Sequence, residues 1–125
     1  MSNLTVFQSV HPIGDTDFNA LPVKEFGPAI GYYTQVLGFS LVEKQNEKVI
    51  LQRDDVKIGL ACNGNDPEQA SCYFAVSDVE ALRRELHEKG IEPSELRVDD
   101  HNGTKYRIFF AKEPYGVCFC FGQPA

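Results

Sequence analysis

The side chains of this sequence best suited to chemistry are its four cysteines and three histidines. Cys118 and Cys120 alternate with Phe119 in an apolar run, so both side chains are predicted to point to one face of a strand. A thiolate metal site would need partners at C-x-x-C spacing, and the sequence has none. Both thiols are therefore interpreted as small apolar residues, and whether they contact a bound compound is left open.

The histidines offer acid–base chemistry, and each also has an ordinary interpretation. His101 follows two aspartates, and a carboxylate–histidine pair can transfer protons, although a polar surface turn fits the same residues. His87 falls on the charged side of a predicted helix. His11 lies in an N-terminal extension, where it is either solvated or reaches a neighbouring subunit's cavity. No G-x-S-x-G, Walker or Rossmann motif occurs, so hydrolase and nucleotide sites have no support.

Composition limits the classes of partner. Twelve basic and eighteen acidic residues give a net charge of −6, which repels the phosphates of nucleic acids and attracts cationic small molecules. With 42% hydrophobic and 24% charged residues over 125 positions, one globular domain is expected. No apolar run approaches the ~18 residues that span a bilayer, and no signal peptide is visible. We therefore expect a cytoplasmic protein that binds neither nucleic acid nor membrane, without a disulfide framework.

The elements that must position these side chains follow a repeated order. Helical spacing of apolar residues predicts helices over residues 27–37 and 78–89, ending at Gly38 and Gly90. Strands are predicted over residues 18–24, 39–43, 49–53, 56–62, 71–76, 106–111 and 117–122, with one more around Leu96. The order strand, helix, three strands thus occurs twice, and the two helix-ending glycines are 52 residues apart.

Each copy of this unit is too small to bury its own sheet and helix well, so the copies are expected to pack together as one domain. A first module is predicted over residues 18–66 and a second over residues 67–125. Residues 1–17 lie outside the repeat. Their alternating stretch, residues 4–10, is either an edge strand or an arm that reaches a second subunit.

The strands that flank the helices have two different faces. Side chains of one parity are large and apolar, as expected for a face packed against helices: Leu21, Val23, Ile58, Leu60, Phe74, Val76, Phe119 and Phe121. Those of the other parity are mostly small: Ala20, Pro22, Gly59, Ala61, Ser71, Tyr73, Cys118, Cys120 and Gly122. With no helix left to cover it, this second face predicts a binding cavity, or else a sheet face closed by a loop or a dimer partner.

Four stretches of the chain resemble the vicinal oxygen chelate superfamily of glyoxalase I, ring-cleaving dioxygenases and bleomycin-resistance proteins. They are LPVKEFGPAIGYYTQVLGF, VILQRDDVKIGL, YFAVSDVEALRRELHEKGI and RIFFAKEPYG. The resemblance covers about residues 18–122. It implies an α+β fold of two paired βαβββ modules, with a curved mixed sheet around a cavity and the helices on the outer face.

Enzymes that this sequence resembles hold a divalent metal through four side chains on the concave face. The matching positions here are Phe18, Gly59, Ser71 and Cys120. Phenylalanine and glycine side chains cannot ligate, serine is a poor ligand, and one cysteine does not hold a metal alone. No metal, no cofactor and no catalytic residue is therefore predicted, and the resemblance is to the metal-free bleomycin-resistance branch.

That branch implies a homodimer that sequesters a cationic or aromatic drug-like compound in grooves shared by two subunits, and so confers antibiotic resistance. The predicted ligand-binding residues are Phe18, Phe39, Ser71, Tyr73, Arg107, Phe109, Cys118 and Cys120. For Arg107 a structural ion pair is the alternative. Lys105 stands where bleomycin binders of the family often carry tryptophan, which argues against bleomycin itself. The alternative functions are a glyoxalase- or dioxygenase-like metalloenzyme with a diverged metal site, and a sensor module.

Overall fold

The computed structural model describes residues 5–125, which form nine strands, two α-helices and one short 3-10 helix. The strands are β1 Phe7–Pro12, β2 Leu21–Pro22, β3 Ser40–Lys44, β4 Lys48–Arg53, β5 Val56–Ala61, β6 Ser71–Val76, β7 Arg97–His101, β8 Thr104–Lys112 and β9 Cys118–Pro124. The helices are α1 Phe26–Gln35 and α2 Val79–Glu88, and the 3-10 helix is Pro67–Gln69. Both α-helices begin and end within two residues of their predicted bounds.

The expected α+β class and the repeated module are confirmed. The first module (β2, α1 and β3 to β5) forms a four-stranded sheet in the order β2-β5-β4-β3. The second module (β6, α2 and β7 to β9) forms a sheet in the order β6-β9-β8-β7, with β1 added as a fifth strand beside β6. In each module the strand before the helix pairs in parallel with the last strand. The predicted module boundary, between residues 66 and 67, falls at the start of the 3-10 helix.

The strand predicted over residues 18–24 is wrong in extent, because only Leu21–Pro22 is extended in a ladder. Asp17 holds the preceding residues in a turn. Its side-chain Oδ1 accepts a hydrogen bond from the Asn19 amide at 2.9 Å, and its carbonyl accepts one from the Ala20 amide at 3.0 Å. Aspartate favours such turns because its short side chain competes for local backbone amides.

The N-terminal extension is an edge strand in this structure. β1 pairs antiparallel with β6, which places His11 opposite Tyr73. Its start is also tied to the first module, since the guanidinium of Arg53 lies 4.3 Å from the centre of the Phe7 ring and the Phe7 amide donates to Asp54 at 2.9 Å. Residues 1–4, the first part of the predicted extension, lie outside the described residues.

One hydrophobic core serves both modules. The large apolar faces of the two sheets pack together with the helices, as their parity predicted. At the centre the rings of Phe7, Phe39, Phe74, Phe119 and Phe121 meet with centroid separations of 5.3–6.1 Å. The opposite sheet faces are thereby directed away from the core. None of the helices between residues 5 and 125 has the length and apolar character needed to cross a bilayer.

Candidate ligand-binding groove

A cavity of about 590 Å³ lies on the face of the five-stranded sheet that is turned away from the helices. We call it the groove. Its walls and floor come from every strand of that sheet and the residues that follow β1: His11, Pro12, Ile13, Tyr73, Asp99, Asp100, His101, Tyr106, Ile108 and Cys120. This volume is within the range of small-molecule sites, roughly 300–1,000 Å³.

Strand alternation explains which side chains enter the groove. On β6, Phe74 and Val76 are buried in the core, so the side chain between Cys72 and Phe74 points the other way. That residue is Tyr73, whose Cα is paired with His11 on one side and Cys120 on the other. The three side chains therefore form a row across β1, β6 and β9 on the groove face.

The Tyr73 ring lies across β9 toward β8. A Cβ placed on Gly122 would stand 2.7 Å from the Tyr73 hydroxyl oxygen and 2.8 Å from Ile108 Cγ2, distances that real side chains do not adopt. The ring therefore occupies space that is available because position 122 is glycine. Burial, with the neighbouring Cys120 and Tyr106, raises the pKa of Tyr73 to about 12, so its phenol is neutral at physiological pH.

The rim of the groove carries charge. Asp99 accepts a salt bridge from Arg97 at 2.9 Å, and Asp100 lies 3.9 Å from the ammonium of Lys105. These pairs are solvent-exposed, so each contributes little to stability and its carboxylate stays accessible to a ligand. His11 is held at the other end by a hydrogen bond of 2.9 Å with the Ser9 hydroxyl.

Two of the predicted ligand-binding residues, Tyr73 and Cys120, line the groove. Burial raises the pKa of the Cys120 thiol to about 12, so the thiol is protonated and weakly reactive. Ser71 and Cys118 are paired with each other farther along the same two strands, and both are half-buried. Ser71 lines a separate, polar cavity between the turn at residues 13–17 and the loop before β6.

Four other predicted residues lie away from the groove. Phe39 and Phe109 are core residues with 3% and 0% of their surface exposed; Phe39 packs edge-on against Phe7, and Phe109 stacks on Phe121. Both rings therefore serve to pack the core. In β8 the odd-numbered side chains, Phe109 among them, point toward the helices. Arg107 lies on the same face of β8 and forms an ion pair with Glu80 of α2. A structural ion pair was the alternative to ligand binding for this residue. Phe18 packs partly buried at the core edge.

Tyr106, Ile108 and Asp99 are groove residues that the sequence interpretation missed. Along β8, Tyr106 and Ile108 alternate with Arg107 and Phe109, so the strand offered two candidate faces. Phe109, the predicted residue of this strand, lies on the face that is buried in the core. An ion pair between Arg107 and helix α2 would have indicated the correct face. It directs the odd-numbered side chains of β8 toward the helices and the even-numbered ones toward the groove.

The residues at the four positions that the family resemblance assigns to metal binding, Phe18, Gly59, Ser71 and Cys120, do not fit a metal ion in this structure. A Cβ on Gly59 would stand 2.0 Å from the backbone carbonyl oxygen of Asn19, so no ligating side chain can stand there. Phe18 brings no donor atom, Ser71 is a poor ligand, and the single thiol of Cys120 does not hold a metal alone. Within residues 5–125 no three His, Cys, Asp or Glu side chains are grouped closely enough to hold an ion. The donor set of this sheet face is therefore incompatible with the family's metal site.

Known proteins resemble this chain in sequence and in overall fold. The uncharacterised protein YwkD of Bacillus subtilis (strain 168) is 25% identical over 124 residues, covering 84% of this chain and 90% of that protein. The bleomycin resistance determinant encoded on transposon Tn5 has the same fold, with a TM-score of 0.71 and 21% identity over 88% of this chain and 98% of its own.

The bleomycin-binding protein from bleomycin-producing Streptomyces verticillus, solved with copper(II)-bleomycin, matches with a TM-score of 0.67 and 17% identity. The match covers 85% of this chain and 93% of that one. The sequence model of the Glyoxalase/Bleomycin resistance protein/Dioxygenase superfamily matches residues 15–121. The chain therefore belongs to the glyoxalase/bleomycin resistance protein/dioxygenase superfamily.

Proposed function

We propose that this protein sequesters a cationic or aromatic drug-like compound in the groove, without a metal and without catalysis. The observation that carries the proposal is the aromatic floor of a 590 Å³ cavity, built by Tyr73 and flanked by Tyr106 and His11. Aromatic faces bind flat ring systems and cations, at about 0.5–2 kcal/mol for each contact. The neutral thiol of Cys120 and the neutral phenol of Tyr73 at physiological pH support binding in this cavity rather than catalysis.

Charge supports a cationic ligand. The chain carries a net charge of −6, and two carboxylates, Asp99 and Asp100, stand at the rim of the groove. A negatively charged surface raises the local concentration of cations and speeds their encounter with the site. All four cysteines are free, which suits action in the reducing cytoplasm.

We further propose that a second copy of the chain completes the groove. Both sheets end in edge strands that carry exposed apolar side chains: Leu41 and Val42 on β3 are 47% and 49% exposed, and Val98 on β7 is 58% exposed. Ile13, which lines the groove, is 41% exposed. Exposed apolar residues at a sheet edge and at a cavity rim are typical of a contact surface.

The relatives support the class of compound. Two proteins of the same fold are described as a bleomycin resistance determinant and as a bleomycin-binding protein. A drug-like ligand, and with it a role in antibiotic resistance, therefore extends to this chain as part of the proposal. Lys105 and the absence of tryptophan from the sequence set this protein apart from a dedicated bleomycin binder, so the ligand panel has to be wider than bleomycin.

The proposal is tested by thermal unfolding with a panel of bleomycin and other cationic aromatic compounds. A ligand at 100 times its Kd adds about 2.7 kcal/mol of stability, which for a domain of this size raises the Tm by roughly 10 °C. Cys120→Phe fills the groove and is expected to abolish the shift, whereas Cys62→Phe, the same change at an exposed cysteine outside the groove, is expected to retain it.

Two results would overturn the proposal. A panel without any shift in Tm contradicts sequestration of this class of compound. Stoichiometric nickel, zinc, iron or manganese in the purified protein contradicts the metal-free mechanism and favours a glyoxalase- or dioxygenase-like enzyme whose metal lies elsewhere.

A further inference from the structure

The Tyr73 side chain lines the groove and reaches across the neighbouring strand. Most side chains stand roughly perpendicular to a sheet, but the Tyr73 ring reaches sideways over β9 until its hydroxyl lies above Gly122. Two atoms of the side chain, the hydroxyl oxygen and the ring carbon Cε1, stand 2.7 and 2.9 Å from the place of a Cβ at that position. Any other residue at position 122 would therefore push the ring out of this orientation.

Gly122 has no local backbone reason to be glycine. It lies within β9, paired with Ala75 and Ile108, and it is not among the glycines with positive φ. Glycine inside a strand weakens the strand, so its presence marks a place where another group approaches closely. The group that approaches is the Tyr73 ring, with Ile108 Cγ2 at 2.8 Å on the other side.

The Tyr73 ring is part of the lining of the cavity. The His11 ring stands beside it with a centroid separation of 6.0 Å and a tilt of 43°, which bounds the surface on the β1 side. On the β7 side the cavity is bounded by Asp99. An aromatic ring therefore lines the cavity, with a carboxylate at one margin. Because its neighbours already hold the ring in place, a ligand that stacks on it loses little side-chain freedom.

We propose that Tyr73, supported by Gly122, determines the specificity of the groove by selecting flat aromatic cations over aliphatic cations of the same charge. This inference rests on the proposed function, because it names the class of compound that the same groove binds. Stacking and cation–π attraction need the face of the ring, whereas the rim carboxylates attract every cation alike. Loss of the ring face should therefore remove the preference and leave the charge attraction.

The test measures the affinities for ethidium, a flat aromatic cation, and tetrabutylammonium, an aliphatic cation of the same charge. Wild-type protein is expected to bind ethidium at least tenfold more tightly. Tyr73→Leu removes the ring and Gly122→Ala displaces it, and each is expected to reduce this preference at least fivefold. Tyr73→Phe keeps the ring and is expected to stay within twofold of the wild type.

Gly31→Ala is the matched control for the glycine substitution. Gly31 lies in α1, and a Cβ there would meet nothing within 4 Å, so the same chemical change is made without displacing a neighbour. Its ligand preference is expected to equal that of the wild type. NMR of protein with ¹³C-labelled tyrosine rings reports the ring itself: the Tyr73 signal, assigned with Tyr73→Phe, is expected to move in Gly122→Ala and to stay in place in Gly31→Ala.

The outcomes separate this inference from the proposed function. If compounds bind but Tyr73→Leu keeps the full preference for ethidium, the specificity role of Tyr73 is refuted and sequestration stands. If the Tyr73 signal is unmoved in Gly122→Ala, the support by Gly122 is refuted. If the wild type binds neither cation and no compound of the panel shifts its Tm, the proposed function fails and this inference fails with it.

Discussion

Arg53 is expected to be the side chain on which the joining of the two modules depends most. Only 3% of it is exposed, and it lies at the end of β4 with its guanidinium directed into the interior. Nη1 donates to the carbonyl of Leu37 at 2.7 Å and reaches Glu85 of α2 at 3.3 Å, while Nη2 donates to the carbonyl of Thr5 at 3.3 Å. One group therefore connects the first module, the second module and the segment that leads into β1.

The magnitude for Arg53→Met follows from these contacts. Methionine keeps an apolar stem but leaves two buried carbonyl groups without donors, at about 1–3 kcal/mol each. Loss of the contact with the Phe7 ring adds about 0.5–2 kcal/mol. Removing a buried cation recovers part of its desolvation cost, so we expect a net loss of about 3 kcal/mol. That is a large part of the roughly 5–15 kcal/mol that stabilise a typical domain.

Urea denaturation measures this loss. With a slope of about 1.5 kcal/mol per molar urea, the midpoint is expected to fall by about 2 M. Arg84→Met is the matched control, since Arg84 is exposed on α2 and the same change there is expected to cost less than about 0.5 kcal/mol. A loss in Arg53→Met no greater than that in Arg84→Met would refute the joining role.

Three more predictions concern a buried carboxyl, a closed sheet face and the dimer. Burial raises the pKa of Glu113, so the stabilisation by its protonated form is present below the ordinary glutamate pKa and is lost as the pH rises through the folded-state pKa. Glu113→Gln should therefore gain stability relative to the wild type as the pH is raised from acid, measured by thermal unfolding as a function of pH. Gly59→Ala should cost about 1–3 kcal/mol because its Cβ meets a backbone oxygen, whereas Gly31→Ala should be neutral or stabilising; equal effects would contradict the close approach. Val42→Glu, at an exposed position, should dissociate the proposed dimer in sedimentation velocity and leave the far-UV circular dichroism of the folded chain unchanged; a wild type that is monomeric at 100 µM would contradict the dimer.

Local patterns predicted the elements of the fold well and their long-range pairing poorly. Apolar spacing, helix-ending glycines and turn residues lie close together in the sequence, so both helices and most strands were predicted within two residues of their bounds. The pairing of β1 with β6 joins residues sixty or more positions apart. Nothing in the alternating N-terminal stretch specifies that partner, so an edge strand and an arm were equally compatible with it.

The groove shows the same division. Tyr73 and Cys120 were found because their strands have one plainly apolar face, which assigns the other face to the cavity. On β8 both faces carry large side chains, and the choice of Phe109 over Tyr106 and Ile108 selected the core. Alternation along the sequence shows which side chains of such a strand share a face, but not which face is buried. That assignment requires the pairing with neighbouring strands, because a shift of one residue exchanges the two faces.

The two modules share a topology, yet only one of them has the groove. Gly59 in the first module and Cys120 in the second occupy equivalent positions. Each directly precedes a residue, Leu60 or Phe121, that pairs with the first strand of its own module. In the first module the backbone at Asn19 lies over Gly59 and closes this place. In the second module the same place is the floor of the groove, because β6 continues past it in the ladder and no turn folds over it. The difference originates in the turn that shortens the first strand to two residues. The repeat therefore predicts the strands and helix of both modules, while the local turn at Asn19 decides that this position is closed in the first module.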